Sequence, residues 1–415
     1  MSKVCLTDIA KLDGMSEWRI LKFSDCIKQI NTGLNPRKNF SLGHGKNRYI
    51  TAKNLTKLGI IDFENCDCID DRAKQIIHRR SDIQIGDILL SSRAPIGQCH
   101  LIKDEPSDYE IGESIFSIRV NKSIVRPDYF CLYLSSDFFV QLAAKNVTGS
   151  IIQEIRIGDL MNIDVIVPPM DVQEKIANSI NMIDKKLILN NSICSDLESM
   201  AKFLYDYWFV QFEFPNEEGK PYKSSGGKMV WNEELKRDIP EGWGSAKLKD
   251  VIVENPKSKI KVGDVKNIGE VPFFTSGAEI LSTNDSIVSG LNCYLNTGGN
   301  ADVKYYYGEA SYSTDTWCIT AEDGMKYILP FILDKIKPSM DKVFFQGTGL
   351  RHLQKNLLRE YSLCIPDNDV LKNFEKIARD IFVQQHNLLA ENRKLESLKE
   401  FLLPLLMNGQ VTVGE

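Results

Sequence analysis

Two stretches of this chain, 171–204 and 369–402, carry the same apolar period in the same register, 198 residues apart. In the first, Ile176, Ile180, Ile183, Leu187, Cys194, Leu197, Ala201 and Leu204 recur at alternating steps of four and three, and Asn190 fills the remaining slot. Such spacing keeps one stripe of a helix apolar over many turns, which is a coiled-coil seam. The second stretch repeats it as Phe374, Ala378, Ile381, Gln385, Leu388, Asn392, Leu395, Lys399 and Leu402, a more polar copy. Each seam holds one Asn, a residue that fixes register at a cost in stability. Spacing alone favours two amphipathic helices of an ordinary core; that the two are copies tips the balance to the seam.

The copying reaches beyond the helices. An offset of 198 relates Gly149 to Gly347, Leu160 to Leu358, Pro168 to Pro366 and Asp171 to Asp369. Earlier, Trp18-x4-Phe23-x-Asp25-x-Ile27 is echoed by Trp243-x4-Leu248-x-Asp250-x-Ile252 at an offset of 225. The chain is therefore a tandem duplication of a globular unit followed by a long helix. Because the offset falls from 225 to 198, the first unit is longer by 27 residues.

At 415 residues the chain exceeds what one core usually spans. Apolar residues make up 43% and charged ones 26%, an ordinary balance for a water-soluble chain. No apolar run approaches the ~20 residues of a membrane span, and Met1-Ser2-Lys3 opens no signal peptide, so a cytoplasmic location is expected. The closest cysteine pair, Cys66-x-Cys68, lacks a second pair or a histidine at zinc spacing; free thiols and no metal are expected. A net charge of −5 does not argue against nucleic acid, since a sum over the chain averages out local patches.

Taken in order, residues 1–15 read as a leader, 16–168 as a first globular domain, 169–205 as a first helix, 206–240 as a linker, 241–366 as a second domain and 367–408 as a second helix with the C-terminus. Within the first domain, 48–51, 86–93, 114–120 and 163–167 read as strands, and about 127–145 as a helix opened by Pro127-Asp128. The linker is rich in Pro, Gly and Ser, yet its opening Tyr207-Trp208-Phe209-Val210-Gln211-Phe212 is too aromatic to be merely solvated. The second domain repeats the strands at 271–277, 293–300, 316–320 and 361–365, and Pro404 with Gly409 is expected to stop the last helix. The fold class is α+β.

At these residues the chain resembles the specificity subunits of type I restriction-modification systems. The resemblance rests on the Trp-x4-[Leu/Phe]-x-Asp openings, the strands ending at Pro168 and Pro366, and the helices with Leu-Glu-Ser. It rests also on the linker from Tyr207 through Ile239-Pro240-Glu241-Gly242-Trp243, and on the terminal Leu402-Leu403-Pro404-Leu405-Leu406-Met407-Asn408-Gly409. It implies two target recognition domains, each reading one half of a split double-stranded DNA target, held by two helices packed as an antiparallel coiled coil. It implies further that the subunit is not an enzyme. Two modification (methyltransferase) subunits would carry S-adenosylmethionine, and restriction (endonuclease and translocase) subunits would carry ATP and Mg, leaving no cofactor on this chain. The alternative is a protein scaffold that assembles two copies of a partner without touching nucleic acid, which salt dependence of binding would distinguish.

The residues agree on the lack of chemistry. There is no Asn/Asp-Pro-Pro-Tyr/Phe motif, no Gly-x4-Gly-Lys-Ser/Thr loop and no His-Glu-x-x-His, and the five histidines have no ligand spacing. Candidate DNA-binding residues follow from type and placement. Ser150, Gln153 and Arg156 beside Gly149 match Thr348, Arg351, His352 and Gln354 beside Gly347 and Gly349. Glycines let a backbone approach phosphate, and Gln and Arg suit bidentate contacts to A and G; an exposed turn is the competing reading. Arg37, Lys38, Lys46, Lys53, Asn54 and Arg93 in the first unit, and Lys257, Lys259, Lys304 and Tyr306 in the second, complete the set. Lysines among them would hold phosphates, which position a protein without reading sequence.

Overall fold

The structure is a computed structural model that describes residues 17–144, 154–347, 349 and 351–411. It divides into two compact units, 1–188 with 395–415 and 189–394, so each unit holds one globular body and a segment of each long helix. The leader at 1–15 lies outside the described residues.

The first unit runs β1 (Arg19–Lys22), α1 (Phe23–Cys26), β2 (Ile27–Thr32), β3 (Asn47–Ile50), β4 (Asp67–Ile69), α2 (Asp71–Ser81), β5 (Ile88–Ser91), β6 (Cys99–Leu101), β7 (Tyr109–Ile111), β8 (Ile115–Val120), α3 (Pro127–Ser135), α4 (Asp137–Ala144), α5 (Ile157–Met161) and β9 (Asp164–Val167), and then enters α6 (Met170–Tyr205). Its sheets have the orders β2-β8-β5-β6 and β4-β3-β7, with β1 and β9 pairing antiparallel to join the unit's start to its end. The helix expected over 127–145 is broken. Ser136 takes an extended conformation, and its hydroxyl accepts from the Phe139 amide at 3.3 Å, so a buried cap ends one helix and starts the next.

The second unit contains a hairpin of β10 (Met229–Asn232) and β11 (Arg237–Pro240), then β12 (Gly244–Lys247), β13 (Ile252–Glu254), β14 (Val271–Phe274), β15 (Ile280–Thr283), β16 (Leu291–Asn296), β17 (Val303–Tyr307), β18 (Ser311–Tyr312), β19 (Thr316–Ala321), α7 (Met325–Val343), β20 (Phe345–Gln346), β21 (His352–Leu353), α8 (Lys355–Arg359) and β22 (Ser362–Ile365), and enters α9 (Asn368–Met407). Its sheets repeat those of the first unit, β13-β19-β16-β17 and β15-β14-β18, with β12 paired to β22. Even the parallel pair recurs, β3 with β7 and β14 with β18. The two Trp-x4 openings do equivalent work, since the Phe23 amide donates to Ile163 O at 2.8 Å and the Leu248 amide to Tyr361 O at 2.8 Å, with both side chains fully buried.

Strand register locates the extra residues of the first unit. The offset is 224 between Ile50 and Phe274, which sit opposite Ile111 and Tyr312, falls to 214 between Asp67 and Leu281, and reaches 205 between Ile88 and Cys293. Most of the difference therefore lies in the β3–β4 connection and in α2, which has no counterpart in the second unit.

Two helices depart from the expected pattern through proline. α7 contains Pro330 and Pro338, which argue against a helix in the sequence, but it buries Tyr327, Ile328, Leu329, Phe331, Ile332, Leu333, Ile336 and Met340. At about 1.5–3 kcal/mol per large apolar side chain, that burial outweighs the hydrogen bonds proline removes. Likewise α9 does not stop at Pro404. It continues to Met407, and Leu403, Leu406 and Met407 enter the core of the first unit beside Phe23, Phe130 and Tyr133. The linker is also more ordered than its composition suggests. Trp208 and Phe209 pack on Phe374, the latter at 4.9 Å between ring centroids, and Phe214 stacks on Trp243 at 5.1 Å.

The long helices pack as an antiparallel coiled coil. In the first unit Lys399 reaches Asp184 at 2.5 Å, with both side chains largely covered. In the second, Gln385 donates to Cys194 O at 3.2 Å, and the two seam asparagines meet, Asn190 Nδ2 donating to Asn392 Oδ1 at 2.8 Å. Asn392 Nδ2 in turn donates to Asn191 at 2.8 Å. A buried amide pair of this kind meets in one register only. Asn190→Leu alone is expected to cost ~1–3 kcal/mol because it leaves Asn392 Oδ1 in the seam without its donor. Pairing it with Asn392→Leu should return stability to the starting value or above. Denaturant midpoints of the two variants check this, and equal losses in single and double variants would refute it.

Candidate nucleic-acid interface

In the first unit, β2 and β5 both run antiparallel to β8, so their C-terminal ends lie together where β8 begins: Thr32 sits opposite Phe116 and Ser91 opposite Ile115. The β2–β3 loop, the β5–β6 loop and the β7–β8 turn therefore start from one end of the sheet. The segment after residue 153 is tied to the same place. Arg93 and Glu154 form a main-chain bridge, the Ile155 amide donates to Ser92 O at 2.9 Å, and the Ser92 amide donates to Ser114 O at 2.9 Å.

The second unit builds the same cluster from different residues. Gly298 and His352 form the equivalent bridge, the Leu353 amide donates to Thr297 O at 3.0 Å, and the Thr297 amide donates to Asp315 O at 3.0 Å. The loop after β13 joins through the Thr314 amide, which donates to Ile260 O at 3.0 Å. The backbone frame is thus duplicated and the side chains on it are not.

The candidate side chains divide accordingly. Ser150, Gln153 and Thr348 lie outside the described residues. Arg37, Lys38, Lys46, Lys53, Arg156, Lys257, Lys259 and His352 are exposed. Arg93 is half-buried and held by Glu154 at 3.4 Å and Glu113 at 3.3 Å. Arg351 braces the opposite loop, donating to Asp341 O at 3.1 Å and to Asn300 Oδ1 at 3.0 Å, and Gln354 donates to His352 O at 3.2 Å. Lys304 is paired with Asp302 at 2.9 Å, and Lys337 shares that carboxylate at 2.7 Å. Burial would raise the Asp302 carboxyl, but the two ammonium groups prevail and hold it below the usual range.

Two candidates are corrected by burial. Asn54 is 1% exposed, its amide spent on Asn65 O at 3.0 Å and its carbonyl on the Thr51 amide at 2.9 Å; it closes a turn and faces no ligand. Tyr306 packs on Phe274, and its hydroxyl meets His386 at 3.1 Å and Arg393 at 3.1 Å, on the side of α9.

Other cations stand outside the candidate set. In the second unit Lys355 lies 4.9 Å and Arg359 5.5 Å from the centre of the Trp317 ring, and burial lowers the Lys355 ammonium. In the first, α2 exposes Arg72, Gln75, His78, Arg79 and Arg80. The signal for this helix was present, with Asp70 as N-cap and Arg72-x2-Gln75-x3-Arg79 at helical spacing.

Residues 15–199 match the family model of the type I restriction modification DNA specificity domain. The chain is similar to the specificity subunits of type I restriction-modification systems. It is 24% identical to the MjaIX specificity subunit of Methanocaldococcus jannaschii, over 99% of this chain and 96% of that relative. It is 22% identical to the HindI specificity subunit of Haemophilus influenzae, over 79% of this chain and 87% of the relative. The fold agrees with the crystal structure of the S subunit of a type I system from M. genitalium, at a TM-score of 0.58 and 14% identity, covering 96% of this chain and 97% of that one. The likeness to the Methanocaldococcus relative extends past residue 199 and across the second unit. Among the described residues no group of three or more His, Cys, Asp or Glu could hold a metal ion, and no helix is long and apolar enough to cross a membrane.

Proposed function

We propose that this specificity subunit reads a bipartite double-stranded DNA target, one half with each loop cluster, and that it directs the chemistry of partner subunits without performing any. The single observation that carries this reading is the duplicated frame. Two equivalent sheet ends, closed by equivalent hydrogen bonds, present unlike side chains, as two reading heads for two different half-sites require. S-adenosylmethionine would be held by modification subunits, and ATP with Mg by restriction subunits.

Docking of two modification subunits is supported by a second apolar stripe. On α6, Met182, Leu189, Ile193, Met200 and Phe203 recur on a face other than the buried seam. On α9, Leu398 and Phe401 repeat the end of that stripe at the same offset of 198. Phe203 is 68% and Phe401 66% exposed, apolar surface that a docked partner would cover. Two equivalent patches fit two copies of one partner.

The test is to map methylated bases in a host that makes the modification subunit with and without this chain. A split motif that appears only with the chain is expected, whereas methylation independent of it, or a single uninterrupted motif, would overturn the reading. The purified chain alone should transfer no methyl group from S-adenosylmethionine. Its affinity for the mapped target should fall steeply with salt, as phosphate contacts require and a scaffold that never touches DNA would not show.

A further inference from the structure

The helix α2 sits on the first unit only, and it is anchored far more firmly than its length demands. Eleven residues are too few for a stable isolated helix. Its start is capped by Asp70, which accepts from the Ala73 amide at 2.7 Å, and Asn47 holds Asp71 at 2.9 Å. Its inner face packs Ala73 and Ile77 on Tyr49 and Ile69, and on Leu34, Phe40 and Leu42 of the β2–β3 loop. At its end the fully buried Glu110 carboxylate accepts from the Ser81 hydroxyl at 2.6 Å and meets His78 at 2.6 Å, and Asn31 donates to Ser81 O at 3.2 Å. Burial pushes the Glu110 carboxyl up, and hydrogen bonds from Ser81 and His78 oppose the rise. Arg119 then clamps the following turn, reaching Asp87 at 2.8 Å and Asp82 at 3.1 Å.

The outward face is different. Arg72, Gln75 and Arg79 lie on one side by helical spacing, are exposed, and their side chains make no hydrogen bond or ion pair among the described residues. Arg80 bonds the hydroxyl of Thr32 at 3.1 Å, which places the end of the helix at the sheet end where the loop cluster begins. The loop that α2 packs against carries Arg37 and Lys38, and Lys46 lies 3.6 Å from Asp71. A charged helix face is ordinarily just solvated. Here a rigid base, unpaired planar donors and flanking cations occur together, which is the arrangement base reading needs.

We propose that α2 is a base-reading helix: it enters the major groove of the half-site held by the first unit, Arg72 and Arg79 donate to guanine edges and Gln75 pairs with adenine, while Arg37, Lys38 and Lys46 hold phosphates. The major groove admits an α-helix, and arginine and glutamine are the side chains that make bidentate bonds to those bases. From Arg72 to Arg79 is seven residues, ~10 Å along the axis. At ~3.4 Å per base pair that face covers about three base pairs. The second unit has no such helix and reads its half-site from loops alone. This inference rests on the proposed DNA-reading function.

The test uses the full chain assembled with its modification subunit, and two duplexes of equal length, one with the mapped target and one scrambled. Arg72→Ala, Gln75→Ala and Arg79→Ala are each expected to weaken target binding roughly 10-fold or more. Binding to the scrambled duplex should stay close to that of the parent, and the methylation motif should become degenerate at positions within one half only. Arg37→Ala with Lys38→Ala is expected to weaken both duplexes alike. Equal weakening on both duplexes by the α2 variants, with a shallower salt slope, would make the helix a phosphate clamp and overturn the proposal, as would unchanged binding. Melting temperatures guard against misfolding, and none of the three side chains has a partner to lose. If the parent protein shows no target preference, the proposed function fails; if the parent shows it and the α2 variants keep it, this inference alone fails.

Discussion

Phe203→Asp is expected to leave a folded subunit that retains one modification subunit instead of two, Phe401→Asp to do the same, and the double variant to retain none. The argument begins with exposure. Both rings stand outside the buried seam, so a carboxylate in their place removes little from either core. At an interface, by contrast, a central aromatic anchor contributes about 2–4 kcal/mol, and a buried, unpaired carboxylate adds its own desolvation penalty. Each substitution should therefore weaken its own site by roughly 30-fold or more. The duplication makes the result specific: Phe203 belongs to the second unit and Phe401 to the first, at one offset, so stoichiometry should fall one copy at a time. Mass measurement of the assembled complex reads this directly. Two partners retained by the double variant would show that docking lies elsewhere.

Much of the architecture was legible in the sequence because duplication supplies an internal comparison. A seam at alternating steps of four and three, present twice, announced the long helices, and the asparagines in it announced a register that the structure completes as the Asn190–Asn392 pair. What the sequence obscured has particular causes. Pro330 and Pro338 hid α7, since local propensity counts the lost hydrogen bonds and cannot count the core they sit in. Pro404 misled in the same way, the gain being the burial of Leu406 and Met407 one turn later. Ser136 was invisible as a break because it is buried between two apolar runs that read as one.

The site was less legible than the fold for a different reason. Residue type identifies a donor but not whether it is already spent. Arg93 and Arg351 both stand in the loop clusters, on segments that are not copies of each other, and each is committed to carboxylates or carbonyls that shape the loops. Asn54 and Tyr306 look like surface contacts in sequence and are interior by packing. Conversely, the duplication that marks the other elements does not mark Arg72, Gln75 and Arg79, because α2 has no copy in the second unit.

The largest change in target choice is expected from the long helices acting as a spacer, and handedness makes that expectation sharp. Four residues inserted in α6 between Asp184 and Asn190, and four in α9 between Asn392 and Lys399, lengthen the pair by ~6 Å and advance it by about 40°. Because both helices are extended, the Asn190–Asn392 pair and the Lys399–Asp184 pair can each keep their partners. A four-residue insertion is a stutter, which local unwinding accommodates. DNA is also right-handed, and one or two base pairs add ~3.4–7 Å and about 35–70°. Length and rotation therefore agree, and the methylation motif should keep both halves while the gap between them grows by one or two base pairs. Seven residues in each helix would preserve the seam better, since they insert a whole heptad, but they advance ~10 Å while rotating by about −20°. Three base pairs cover that length with a rotation of roughly +105°. No spacer satisfies both, so the heptad variant should fold at least as well as the four-residue variant and yet lose methylation of any split target. Sequencing methylated bases in hosts carrying each variant decides the matter. An unchanged gap in the first, or a functional second with a gap longer by three, would mean that the helices do not transmit rotation between the two units.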